Sequence, residues 1–311
     1  MAYLFFGCWY VAMPLISLRD GQSLHVRVLG RGQPVMMLPG LGMSSRQWLP
    51  YILPYLSKFR FYLPDFRGFG LSSDVRLNQS DVFHNHSQDV QDVIRYFRLN
   101  DFLLAGISLG GSTALHLQKE GGFTGVRRYL HIDQSPCVSN RHDWPHGLFG
   151  VRQDELFGQL HRLRDVLMIY PQYSAINELP APIRQQASII LAEILGLMTG
   201  RELFKPIFRQ MLARPQLSRF LPLTQLQDCV AYLSAYISGG HDYRQSLRGC
   251  HTPITVMVGM KSPLYAPAGQ MAIADYAHQV KIVPFHRSGH IPLVDEPVKF
   301  IRELGRFLHD D

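Results

Sequence analysis

The chain has 311 residues, 46% of them hydrophobic and 18% charged, with a net charge of +7 and a pI near 9.3. That composition supports a large folded core and excludes a disordered or repeat-built chain. The basic balance would suit an acidic partner, but the arginines are scattered singly with no basic cluster, so a solvated surface is expected and nucleic acid is not.

Residues 1–10 are apolar and aromatic, with no lysine or arginine ahead of them and no small-residue cleavage site. The uncharged stretch up to Leu18 is shorter than a membrane span and contains Pro14. Residues 1–12 are therefore expected to be an extension without a fold role, neither a signal peptide nor a stable membrane span, with a membrane-associating tail as the alternative. Cys8, Cys137, Cys229 and Cys250 lack paired spacing, which suits a reduced, cytoplasmic setting and argues against a disulfide scaffold or a zinc site.

Residues 15–18 and 24–29 read as a hairpin joined through Asp20-Gly21. An apolar run at 35–38 ends in Pro39-Gly40-Leu41-Gly42, and a helix is expected over 46–56. The next run, 61–64, leads into Asp65-Phe66-Arg67-Gly68-Phe69-Gly70-Leu71-Ser72, where Asp65 and Arg67 are expected to organise the loop. Val90, Val93, Ile94 and Phe97 then recur at helical spacing, which leaves Asp89, Asp92 and Arg95 on the polar side. His84 and His86 fall at the start of that helix. With no carboxylate or cysteine motif beside them they read as polar surface, and no metal site is expected.

The run 103–107 closes on Gly106-Ile107-Ser108-Leu109-Gly110, and a helix-forming stretch begins at once. This is Gly-x-Ser-x-Gly between a strand and a helix. The glycines make room for a strained turn that lifts the serine hydroxyl clear of the sheet, and the helix points its free amides at any negative charge formed there. A strand at 129–132 ends in Asp133-Gln134-Ser135-Pro136. Over 136–250 the strand rhythm stops; the segment is helical in pattern, rich in Leu, Ile, Phe and Tyr, and punctuated by prolines. Strand patterning returns at 254–258 and 280–285, followed by Ser288-Gly289-His290. Continuous apolar strands separated by helices predict an α/β fold with a mainly parallel sheet covered on both faces. Ser108 and His290 each fall just past the carboxyl end of a strand, the edge where such sheets bind ligands.

Taken in order, the Pro39–Gly42 glycine loop, the Asp65–Ser72 loop, the serine elbow and the terminal Ser-Gly-His resemble the α/β-hydrolase superfamily from about residue 15 onward. The resemblance implies an eight-stranded, mostly parallel sheet with helices on both faces, formed by 13–135 and 251–311, and a helical lid over 136–250. It implies Ser108 as nucleophile, His290 as its base, and the amides of Leu41 and Leu109 as oxyanion donors. Pro39 stands where many relatives have histidine. The departure is larger at the acid, because the usual loop reads Gly259-Met260-Lys261-Ser262, with serine in the acid's place. Some members carry the acid after the preceding strand, which here is Asp133; Asp275 and Asp295 are alternatives that read as structural.

A serine at the elbow excludes the aspartate-dependent dehalogenases and epoxide hydrolases of this fold. The expected function is cofactor-free hydrolysis of a carboxylic ester bearing a hydrophobic acyl or aromatic group, through an acyl-enzyme, by a monomer or homodimer. Delivery of the acyl group on an acidic acyl carrier protein is a narrower version. Thioester hydrolysis, carbon–carbon bond hydrolysis and perhydrolysis of the haloperoxidase kind are alternatives on the same residues. A non-catalytic ligand receptor is the alternative of a different class.

Overall fold

The computed structural model describes residues 11–199, 205–213 and 225–309. Its strands are β1 Val11–Ala12, β2 Leu15–Ser17, β3 Ser23–Gly30, β4 Gln33–Leu38, β5 Phe59–Pro64, β6 Phe102–Ile107, β7 Val126–Ile132, β8 Ile254–Gly259 and β9 Val280–Phe285. They form one sheet in the order β1-β3-β5-β4-β6-β7-β8-β9, with β2 also paired to β3. The two short strands β1 and β2 lie antiparallel to successive parts of β3 and act as one interrupted edge strand at Met13-Pro14, so the sheet has eight positions. β3 is antiparallel to β5, and every pairing from β5 to β9 is parallel.

Two residues of the extension expected over 1–12 belong to the sheet. Val11 and Ala12 pair with Leu29 and Val28, and Ala12 is buried in the core. Unpaired amides on β3 and a small apolar side chain are enough to recruit these residues. Residues 1–10 lie outside the described residues.

Successive residues of β4 alternate between two cores, as the pleat requires. Met36 and Leu38 join one, while Val35 and Met37 join the other. The first core is covered by α2, Val82–Phe97, and α3, Leu109–Gly121. The second is covered by the segment around Trp48 and Ile52 and by the C-terminal helix Pro297–His309 through Phe300, Leu304 and Phe307. The helix expected over 46–56 is broken into a 3-10 turn, the four-residue α1, Leu49–Ile52, and a second 3-10 turn. Pro50 and Pro54 remove the amides that a continuous helix would need.

Between β7 and β8 the chain carries α4, Gln153–Met168, α5, Ala181–Thr199, α6, Lys205–Ala213, and α7, Leu226–Ile237. Leu156, Leu160, Leu163, Ile190, Leu226 and Leu233 build a third apolar cluster among them. Among the described residues no helix is long and apolar enough to cross a membrane.

The polar face expected for α2 is corrected. Asp89 and Asp92 are buried, and only Arg95 is exposed. Arg67 donates two bonds of 2.7 Å to Asp89 and one of 2.6 Å to Asp20, while Arg19 holds Asp92 at 3.0 Å. These partners arrive from loops distant in sequence and convert a polar stripe into a buried ionic seam. Asp65 accepts from the amide of Leu71 and lies 3.1 Å from His25 Nδ1, so it ties its own loop to β3. His86 is likewise no surface residue, since it is buried, stacks on Phe66 at 4.3 Å and meets Tyr232 Oη at 2.7 Å.

His131, inside β7, gives this fold an acid sensitivity. Its Nε2 donates to the carbonyl of Gln134 and its Nδ1 faces the Tyr129 hydroxyl, both at 2.8 Å, and burial pushes its pKa down to about 4. The unfolded chain takes up this proton below about pH 6.5 and the folded chain does not, so stability is lost as pH falls from about 6.5 towards 4. Asp89, raised to about 6 by burial, works in the opposite sense over the same window. His131→Gln isolates the histidine. Urea titrations should show the wild type losing about 2 kcal/mol more than this variant between pH 7.5 and pH 5. Equal slopes for the two proteins would reject the account.

Candidate active site

Two sheet hydrogen bonds carry the strand register into the site. Ser108 N donates to Ile132 O at 3.1 Å, and Asp133 N donates to Met257 O at 2.9 Å. The serine therefore stands immediately after β6 and the aspartate immediately after the adjacent β7. Ser108 has φ +51° and ψ −115°, a conformation that costs a non-glycine residue about 1–3 kcal/mol. The turn is held by close backbone approach. A Cβ on Gly106 would run into the backbone of Gly110 and Gly111, and one on Gly110 would run into Leu38 and Pro39.

His290 reaches the same place from the loop after β9. Its Nδ1 lies 2.7 Å from Asp133 Oδ2 and its Nε2 lies 2.8 Å from Ser108 Oγ. A carboxylate can only accept, so Nδ1 carries the proton and Nε2 accepts from the serine hydroxyl. All three side chains are buried, with Ser108 8%, Asp133 0% and His290 4% exposed. Low exposure strengthens each of these charge-linked bonds.

The histidine loop is anchored from the short helix that follows. Asp295 Oδ2 accepts from Gly289 N at 2.8 Å, and Glu296 Oε1 accepts from Ser288 Oγ and from Arg287 N at 2.9 Å each. The loop also packs tightly on β8, since a Cβ on Gly259 would collide with Gly289 O. Asp295 thus faces the loop's backbone rather than the imidazole.

Leu109 is the first residue of α3, so its amide has no intrahelical acceptor. Leu41 lines the same cavity as Ser108, and an ideal Cβ on the adjoining Gly40 would stand 3.6 Å from Ser108 Cβ.

Two polar neighbours of Asp133 are absent from the expectations drawn from sequence. Ser262 Oγ donates to Asp133 Oδ2 at 2.9 Å, and Gln270 Nε2 donates to Asp133 Oδ1. The serine standing in the usual acid's place was a signal for the first; nothing local marks Gln270. Together with the imidazole they give the buried carboxylate three side-chain hydrogen-bond partners.

The cavity over Ser108 is apolar. The insertion contributes Leu148, Phe149, Leu160, Leu191, Ile194, Tyr232, Leu233 and Tyr236, and the core contributes Leu41, Leu264 and Tyr265. Among the described residues that line it, none is charged.

A mostly parallel sheet sandwiched by helices, with a serine raised on a strand-to-helix turn and a histidine following the last strand, defines the architecture of the α/β hydrolases. A family model described as the alpha/beta hydrolase family matches residues 35–303, and the chain belongs to that family. Pimeloyl-[acyl-carrier protein] methyl ester esterase of Legionella pneumophila (strain Corby) is 26% identical over 288 residues, covering 92% of this chain and 99% of that protein. Among solved structures, an esterase from Exiguobacterium antarcticum superposes with a TM-score of 0.73 at 20% identity, covering 96% of this chain and 100% of that one. A hydrolase from Oleispira antarctica has a TM-score of 0.71 at 17% identity, covering 92% and 94%. The structural likenesses bear on the fold.

Proposed function

We propose that this protein is a serine hydrolase that cleaves a carboxylic ester with a hydrophobic acyl group through an acyl-enzyme. The observation that carries the reading is the continuous chain Ser108 Oγ, His290, Asp133, at 2.8 and 2.7 Å, opening into an otherwise apolar cavity. In this reading His290 takes the serine proton as Oγ attacks the carbonyl carbon, and Asp133 stabilises the imidazolium. The Leu41 and Leu109 amides receive the oxyanion, a contribution of about 3 kcal/mol from each donor. The imidazolium then protonates the departing alcohol, and water repeats the sequence to release the acid.

The inserted helices of 136–250 act as the lid in this reading, and their side chains measure the acyl chain. The name carried by the Legionella relative supports esters as substrates. Together with the net charge of +7, it also supports an acyl group delivered on an acidic carrier protein. The uncharged lining favours an acyl chain without an ionised end, because a buried unpaired carboxylate is costly.

A series of p-nitrophenyl esters of increasing chain length, run beside a thioester and a diketone, tests the reading. Ester turnover rising with chain length above the acetate is expected. Turnover of the thioester or diketone without the esters would overturn it, and failure of a fluorophosphonate to label the protein would favour a receptor. Leu233→Trp probes the lid directly, since the larger side chain takes up room in the cavity that Leu233 and Ser108 both line. It should reduce kcat/KM for the preferred long ester roughly tenfold and leave the acetate within about threefold. Equal losses on both esters would show that this side chain does not gauge chain length.

A further inference from the structure

We propose that His84, His116 and Glu120 bind one divalent transition-metal ion of the zinc class in the seam between α2 and α3. The expectation of no metal site weighed only the sequence neighbours of His84 and His86. The fold supplies different partners. His116 and Glu120 are one turn apart on the same face of α3, and His84 in the first turn of α2 faces them.

An imidazole nitrogen from each histidine and one carboxylate oxygen all lie within 4.8 Å of one another. Glu120 Oε1 is 2.6 Å from His84 Nδ1 and 3.3 Å from His116 Nε2. Tetrahedral zinc, with bonds of about 2.0–2.2 Å, holds its ligand atoms roughly 3.3 Å apart. Small side-chain rotations that widen the first pair and draw the two imidazoles together therefore suffice.

Each ligand also has an outer partner that leaves the required atom available. Glu120 Oε2 accepts from Ser87 Oγ at 2.8 Å and from Gln91 Nε2 at 3.1 Å, which frees Oε1 for the ion. His116 Nδ1 lies 3.3 Å from the Tyr243 hydroxyl, a partner for its N–H when Nε2 ligates. His84 Nε2 lies 2.8 Å from the side-chain amide of Gln88. A flip of that amide, matched by a flip of Gln79, whose Nε2 donates to Gln88 Oε1 at 2.8 Å, presents an oxygen to an Nε2–H and leaves Nδ1 for the metal. Such outer-shell bonds fix ligand tautomer and orientation. Two imidazoles and a carboxylate suit zinc, cobalt or nickel and not magnesium or calcium. His84 and Glu120 are partly exposed, so the ion can enter and water can fill the fourth position.

The site stands apart from the proposed reaction centre. Glu120 follows Ser108 by twelve residues on α3, about 18 Å at 1.5 Å per residue. Its reach is towards the returning end of the insertion, because the Tyr243 hydroxyl lies between His116 and His241, 3.4 Å from His241 Nδ1. A bound ion would clasp α2 to α3 and stiffen that return.

The test uses full-length, tag-free protein stripped with a chelator and titrated with Zn2+ alone, by calorimetry and by thermal unfolding. One Zn2+ per chain and a raised Tm are expected, with no rise in equimolar Mg2+. Co2+ should give the visible absorption of a four-coordinate site. His84→Ala and Glu120→Gln should each weaken Zn2+ binding by about tenfold or more. His84 is half-exposed, so that variant should keep its circular dichroism and the zinc-free rate of ester hydrolysis. Absence of stoichiometric Zn2+ binding, or binding undiminished in a folded His84→Ala protein, would overturn the proposal whatever the ester screen shows.

Discussion

Ser108→Ala is expected to lower kcat for ester hydrolysis by about 10⁵- to 10⁶-fold while the fold and Tm stay near wild type. Alanine accepts the same strained backbone as serine, and the sheet bond from residue 108 to Ile132 O involves only the main chain. The loss follows because no other hydroxyl bonds to His290 Nε2 among the described residues. Without Oγ no acyl-enzyme can form, and only binding and the oxyanion donors remain to favour attack by water. Two measurements check this together: steady-state hydrolysis, and the mass added by a fluorophosphonate. The wild type should gain one adduct on the peptide carrying residue 108, and the variant none. Hydrolysis within a few fold of wild type would remove Ser108 from the mechanism.

The second large effect is expected at Asp133. In Asp133→Asn the amide nitrogen can donate to His290 Nδ1, which favours the tautomer with its proton on Nε2, facing the serine. That imidazole cannot accept the hydroxyl proton, and kcat should fall by about 10⁴-fold. The substitution is nearly isosteric, Gln270 still has the oxygen at the Oδ1 position to bond, the Ser262 hydroxyl can turn to accept from the new N–H, and the backbone at this φ of +43° is one that asparagine tolerates as well as aspartate. Folding should therefore survive. Asp275→Asn should change kcat little. Asp295→Asn should act mildly and through the Gly289 amide bond it weakens. The four proteins compared on one ester decide the matter, and full activity in Asp133→Asn would show that the short contact to His290 has no part in turnover.

Much of this molecule is written locally. The continuous apolar runs at β4, β6, β7, β8 and β9 announce buried parallel strands because a strand covered on both faces has no polar side to show. The elbow at Ser108 is legible for a similar reason. The glycines that permit it are two residues away, and the strand and helix that frame it are contiguous with it. Asp133 could be singled out as a candidate acid, since the family resemblance puts Ser262 in the usual place and the aspartate directly follows a strand.

Other features depend on neighbours that the sequence keeps apart. The helical period of α2 is plain, but Asp89 and Asp92 are buried because Arg67 and Arg19 come down on them from other loops. His86 is buried by Phe66 and Tyr232, and His84 joins His116 and Glu120 only because α3 packs alongside. Gln270 reaches Asp133 across 137 residues of chain, and His290 reaches Ser108 across 182. Local pattern determined which segments become strands and helices and where Ser108 stands, because the forces that shape those features act over a few residues. Which polar side chains become partners was decided by tertiary packing alone, because a buried charge or imidazole is stable only beside the group that satisfies it, and the fold chooses that group.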